Sequence, residues 1–186
     1  MKLRNMTLGA LMAAAMLAAA AGMAQSQPAA PASGAAAQQL DDADQGFLEN
    51  AAQLGHAEIE GARMAQEKAS NPDVKAFAEK MVHDHTKVGN ELKTLAQAKG
   101  YTLPAEPSLL QQAKLKTLTL TDDGFDEMYA DQLGVSAHED AVKLFQDASA
   151  NAKDPQIKAF AAEHLPALQD HLKMARDIKQ QVTARK

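Results

Sequence analysis

Residues 71–88 read NPDVKAFAEKMVHDHTKV, and the rest of the chain is best understood outward from them. Asn71 offers a side-chain oxygen to the free N–H groups of a helix start. Pro72 suits the first helical position, where its missing N–H would have gone unpaired anyway. Behind that start Val74, Phe77, Met81, His85 and Val88 recur in steps of three and four, the spacing of one helix face. Leu92 and Leu95 continue the stripe, so the pattern predicts a helix from Pro72 to about Lys99. Gly100 then suits the left-handed position beyond its end. A histidine, His85, stands in the middle of a stripe that otherwise asks for leucine.

The same opening returns later: residues 154–161, DPQIKAFA, match residues 71–78, NPDVKAFA. This second copy predicts a helix from Pro155 to about Gln181 with Ile157, Phe160, His164, Leu168, His171, Ala175 and Ile178 inward. Pro166 inside it removes one hydrogen bond and is expected to kink the helix. Each copy follows another helical pattern. Asp44 to Ser70 carries Phe47, Ala51, Leu54, Glu58, Gly61 and Ala65 on one face. Asp123 to Ala150 carries Met128, Asp131, Val135, His138, Val142 and Phe145. Between the second and third patterns Pro104 and Pro107 interrupt the chain, and Ser108 with Gln111 resembles a capping box before a short helix over Leu109–Leu118. The expected fold is therefore all-α: a ferritin-like, up-down four-helix bundle over residues 44–182, with a long crossover between helices 2 and 3.

The segment ahead of the bundle reads as an export signal. Lys2 and Arg4 precede an uncharged run from Met6 to Ala21, and Gly22-Met23-Ala24 supplies small residues for cleavage after Ala24. An uncleaved anchor is the alternative, but the run falls short of the roughly 20 strongly apolar residues of a bilayer span. Residues 25–43 form an Ala/Pro/Gln-rich linker expected to be disordered. The chain has no cysteine, so neither a lipidated cysteine nor a disulfide is available. Export without disulfides suggests a periplasmic protein with no transmembrane span after cleavage. Loss of residues 1–24 removes two basic residues and no acids, moving the net charge from −5 to −7. No basic block or aromatic-studded basic face is present, so nucleic acid is not an expected partner.

The polar residues on the inward stripes carry the functional question. Glu58 lies 13 residues before Asn71 and His85 lies 14 after it, so antiparallel helices sharing that turn bring them to one level. His138 lies 16 residues before Asp154 and His171 lies 17 after it, with the same result. All four fall near helix centres and are expected to share one layer. Imidazole and carboxylate groups so placed suit zinc, iron or copper, as a four-coordinate set or as three ligands with an open position. The competing reading is a hydrogen-bonded core network that only sets the register of the bundle. His164 is inward but about two turns from His171 and is a possible outlying ligand. Asp84, Glu139 and Asp170 adjoin these histidines but turn about 100° away, so they are poor direct ligands; an acid from a neighbouring helix can still hold a ring N–H. His83 reads as a surface partner of Glu79, and His56 points away from the stripe. No nucleophile–base pair, phosphate loop or paired-carboxylate hydrolase signature is present, and the reading leans away from an enzyme.

Several segments together resemble a widespread bacterial family: Phe47-Leu48-Glu49-Asn50-Ala51-Ala52, Ala57-Glu58-Ile59-Glu60, Ala69 through Ala78, Met81-Val82-His83-Asp84-His85-Thr86-Lys87, and Lys158 through Leu165-Pro166 to Ala175. The family is an exported four-helix domain of unknown function, often described as a membrane or outer-membrane protein and related in fold to the ferritin-like group. The resemblance covers about residues 44–178. It implies a ferritin-like up-down bundle in the cell envelope, with Glu58, His85, His138 and His171 at the family's motif positions, and no established activity. Di-iron ferritins use a Glu-x-x-His pair on each of two helices. This sequence has none: Glu79 and His83 are four apart, and Glu163 adjoins His164. Two functions are thus expected to compete. One is transition-metal binding through the His/Glu layer. The other is a non-enzymatic envelope or stress-related module that binds a protein partner while its polar layer is only structural.

Overall fold

The computed structural model describes residues 40–184, so the expected signal segment and nearly all of the linker lie outside the described residues. All regular structure among the described residues is helical. The elements are α1 (Asp42–Lys68), α2 (Pro72–Ala98), α3 (Leu109–Thr119), α4 (Phe125–Tyr129), a π-helical segment (Ala130–Ser136), α5 (Ala137–Asn151) and α6 (Pro155–Ala184). α4, the π segment and α5 follow one another without a break and act as one rod. No helix among the described residues is long and apolar enough to cross a membrane.

The expected punctuation is present. Asn71 accepts from the Asp73 N–H at the start of α2, and Asp154 accepts from Gln156 and Ile157 at the start of α6. Ser108 and Gln111 form both halves of a capping box on α3. Gly100 takes φ +70° after α2, the left-handed conformation that costs glycine little. Two boundaries move. Asp41 caps α1 by accepting from the Ala43 N–H, so residues 42 and 43 belong to the helix rather than the linker. α6 runs two residues past position 182, and its helix continues through Pro166.

α1 packs along α2, and α5 along α6. Across the two hairpins, Phe47 lies edge-on to Phe145 with centroids 5.1 Å apart, while Gly61 faces Leu133, so α1 runs opposite to the π segment and α5. Lys99 pairs with Asp154 at 2.6 Å and Asp84 bonds His171, so α2 runs opposite to α6. The crossover must then travel back along the rods, and α3 lies against α1 as it does so, burying Leu115 and Leu118.

Two aspartates that the stripes did not flag tie the halves together. Asp44, in the first turn of α1, is buried and accepts from the Lys153 and Asp154 N–H groups at 3.0 and 2.7 Å. Asp126, in the first turn of α4, accepts from the Ser70 N–H, the Ser70 hydroxyl and the Asn71 N–H at 3.0, 2.6 and 2.9 Å. Each acid closes the turn of the other hairpin.

The third stripe is corrected. Between Phe125 and His138 the buried residues are Phe125, Tyr129, Ala130, Leu133 and Gly134, whereas Asp131 is exposed and pairs with Lys179. An α-helical period counted back from His138 places Asp131 inward. A π turn takes more residues than an α turn, so its ring of hydrogen bonds shifts every earlier side chain around the axis. Close packing accompanies it: a Cβ on Gly61 would lie 2.9 Å from Leu133 Cγ, and one on Gly134 would lie 3.2 Å from Ala175 Cβ.

The apolar interior is divided in two. One cluster holds Phe47, Leu48, Leu92, Phe145, Phe160 and Leu168; the other holds Phe77, Met81, Leu118, Tyr129, Leu133 and Ala175. The polar layer sits between them.

Candidate metal centre

Three rods each deliver one imidazole to the gap between the two apolar clusters. α2 supplies His85, α5 supplies His138 and α6 supplies His171, all buried. Their ring centroids are 5.4, 5.4 and 5.6 Å apart pairwise. One nitrogen from each ring lies within 4.8 Å of the other two. α1 supplies Glu58, whose Oε2 is 3.0 Å from His85 Nδ1 and whose Oε1 is 3.7 Å from His138 Nδ1. The four residues expected to share one layer therefore do so.

Hydrogen bonding sets which nitrogen of each ring faces inward. His138 Nδ1 lies 2.8 Å from the Gly134 carbonyl and 3.2 Å from that of Leu133. Carbonyls only accept, so this nitrogen carries the proton and Nε2 is a bare lone pair. The Gly134 and Leu133 carbonyls belong to the π segment, so the local widening of the helix also holds the ring. His171 Nε2 lies 2.9 Å from Asp84 Oδ2, across from α2, which leaves His171 Nδ1 without a proton. That atom is buried and has no hydrogen-bond partner, and neither does Glu58 Oε1. His85 Nε2 and His138 Nε2 face each other at 3.4 Å.

The electrostatics follow from burial. Burial pushes the Glu58 carboxyl up to about 8. Burial, with the neighbouring imidazole charges, holds His85 well below its ordinary range. Burial, then the charge of His171, brings His138 down to about 4, against the pull of its two carbonyl bonds. Burial lowers His171 as well, opposed by Asp84. Burial also acts on Asp84, but hydrogen bonds from Lys80, His83 and His171 outweigh it and hold the carboxyl well below the usual range. The three rings are thus neutral near pH 7, the form that binds metal.

Other expected residues sit elsewhere. His164 is buried against Phe160, with centroids 4.4 Å apart. Its Nε2 is 3.0 Å from Glu91 Oε2 without the alignment of a directed hydrogen bond, and it does not join the triad. His83 is exposed as expected, but its partner is Asp84 at 2.8 Å rather than Glu79: the adjacent carboxylate is already oriented by Lys80 and His171. His56 is exposed and contacts the Pro104 carbonyl at 3.1 Å. Glu139 pairs with Arg176 on the surface. Tyr129 lies in the shifted register, off the stripe that an α-helical period defines; it is fully buried, and burial together with the charge of Glu58 raises its phenol.

An all-helical bundle with three converging histidines is the class that this geometry defines. The chain matches the family described as Domain of unknown function (DUF4142) over residues 29–178, and it belongs to that family. No curated protein matches it. Among solved structures, the fold is similar to CopM in the Cu(II)-bound form, with 22% identity, TM-score 0.64, and coverage of 74% of this chain and 96% of that one. CopM in the Ag-bound form by soaking gives 22% identity and TM-score 0.62 over 77% and 98% of the two chains. A DUF305 fragment from Deinococcus radiodurans gives 14% identity and TM-score 0.66 over 77% and 99%.

Proposed function

We propose that this protein is an exported, ferritin-like four-helix bundle that binds a transition metal, copper before zinc or iron, through His85, His138 and His171 with Glu58 beside them. The observation that carries this reading is the inward-facing, unpartnered Nδ1 of His171, buried opposite two further imidazole nitrogens. With Glu58 ionised and accepting from His85 Nδ1, three lone pairs converge in the interior and repel one another unless a cation lies between them. One pair has the spacing of ligands on a single ion: nitrogens bound at about 2.0–2.1 Å in a tetrahedral site are about 3.3 Å apart, His85 Nε2 and His138 Nε2 are separated by 3.4 Å, and the three nitrogens lie within 4.8 Å of one another. Carbonyl and carboxylate partners on the outer nitrogens of His138 and His171 are the usual outer shell of a histidine metal site. Imidazole donors suit copper, and copper(II) stands highest among the divalent ions for nitrogen and oxygen ligands. The folds in copper- and silver-bound form that resemble this one point the same way.

A second reading rests on Glu58. Raised to about 8, its carboxyl is protonated near pH 7 and can donate to His85, which then donates to His138. The layer would be a proton-filled network that sets helix register, and the protein a structural or partner-binding module of the envelope. That arrangement still leaves His171 Nδ1 unpaired.

Metal analysis of protein purified without a nickel column, followed by copper titration, separates the two. One tightly held equivalent, lost on changing His138, supports the centre. Absence of bound metal, with no thermal shift from copper, zinc or iron, refutes it.

A further inference from the structure

A cleft of about 580 Å³ opens between α1 and α2 and reaches Glu58 and His85. Its roof is the crossover segment Tyr101–Ala105, which His56 of α1 contacts through the Pro104 carbonyl. Apolar side chains such as Val88, Leu92 and Leu168 form walls, and Glu58 is the one acid on the lining. Gly55 and Gly89 lie at its sides, where an added Cβ would meet nothing within 4 Å.

We infer that copper enters the buried triad through this cleft, passing beneath the Tyr101–Ala105 strap and shedding its water at Glu58 and His85. The inference rests on the metal-binding reading above and adds the route. The cleft, at about 580 Å³, is many times the roughly 30 Å³ share of one liquid water. Exposed Arg63 and Lys93 on the lining are solvent-screened, and the Glu58 carboxyl lies at the floor, its Oε2 3.0 Å from His85 Nδ1. The opposite approach runs past His171. There Asp84 Oδ2 already holds His171 Nε2 at 2.9 Å, and the Lys80 ammonium, 2.7 Å from the same oxygen, repels an incoming cation.

The test is stopped-flow uptake of copper(II) ion alone by the full-length protein, with equilibrium affinity measured in parallel against a competing chelator. Filling the cleft with Gly55→Leu and Gly89→Phe is expected to slow uptake at least tenfold and leave affinity within twofold of wild type. His56→Ala, which removes the contact from α1 to the Pro104 carbonyl and so frees the strap, is expected to speed uptake several-fold. Wild-type uptake rates in both the filled and the strap variants overturn the route. A wild-type protein that binds no copper at all overturns the metal reading and the route with it; binding with unaltered rates overturns only the route.

Discussion

His85 Nε2 and His138 Nε2 lie 3.4 Å apart, on rods from different hairpins and buried between two apolar clusters. Replacing both by leucine removes two of three converging donors and joins the two clusters. The H85L/H138L variant is expected to lose copper binding by at least a hundredfold, while the metal-free protein keeps or gains stability, since apolar replacement of buried polar groups of similar volume is neutral or stabilising. Isothermal titration and urea denaturation measure the two effects. Retained affinity would dismiss the centre.

Asp84 touches no inward nitrogen and acts through His171. Asp84→Asn retains the shape but removes the charge that fixes the ring. A ten- to hundredfold loss of copper affinity is expected, the usual effect of an outer partner. Equal affinity in the two proteins would mean that packing alone orients His171.

The layer gives the metal-free protein two opposed pH dependences. The Glu58 carboxyl is raised in the folded state, from 4.5 to about 8, so its contribution is fully present below 4.5 and is lost as pH rises through 8. The His138 imidazole is lowered, from 6.5 to about 4, so its contribution is fully present above 6.5 and is lost as pH falls through 4. Urea unfolding across pH 4–9 is expected to show both limbs. Glu58→Gln should flatten the alkaline one and leave the acid one. An unchanged alkaline limb in that variant would rule out Glu58 as its source.

Gly134 serves the site and the packing together. Its carbonyl holds His138, and its missing side chain lets Ala175 approach. Gly134→Val pushes α6 outward and is expected to cost about 1–3 kcal/mol, as overpacking does, and to weaken copper binding as well. Thermal unfolding with and without copper checks both.

Much of this was legible in the sequence, for a definite reason. Phe77, Met81, His85 and Leu92 keep strict α-helical spacing, so their common face, and the level of His85 relative to Glu58, could be counted from Asn71. His138 was placed correctly because α5 from Ala137 onward is ordinary helix. Asp131, placed inward, turned out at the surface because nothing in residues 130–136 announces a π turn; the preference comes from contacts with Leu133, Gly134 and Ala175 that exist only after folding. The roles of Asp44 and Asp126 were hidden for a similar reason. An aspartate in a first helical turn is ordinary by itself, and its partners here lie 109 and 56 residues away along the chain.

Those two aspartates have a consequence for how the molecule comes apart. Neither half of the chain carries the acid that closes its own bend; each borrows it from its sibling. A separated half is thus left with bare amides at its tip, and the cost of one missing carboxylate falls on residues the other half encodes. Cutting the crossover should yield two pieces that are poorly structured alone and mend each other when mixed, a molecule whose halves are lent to one another rather than merely stacked.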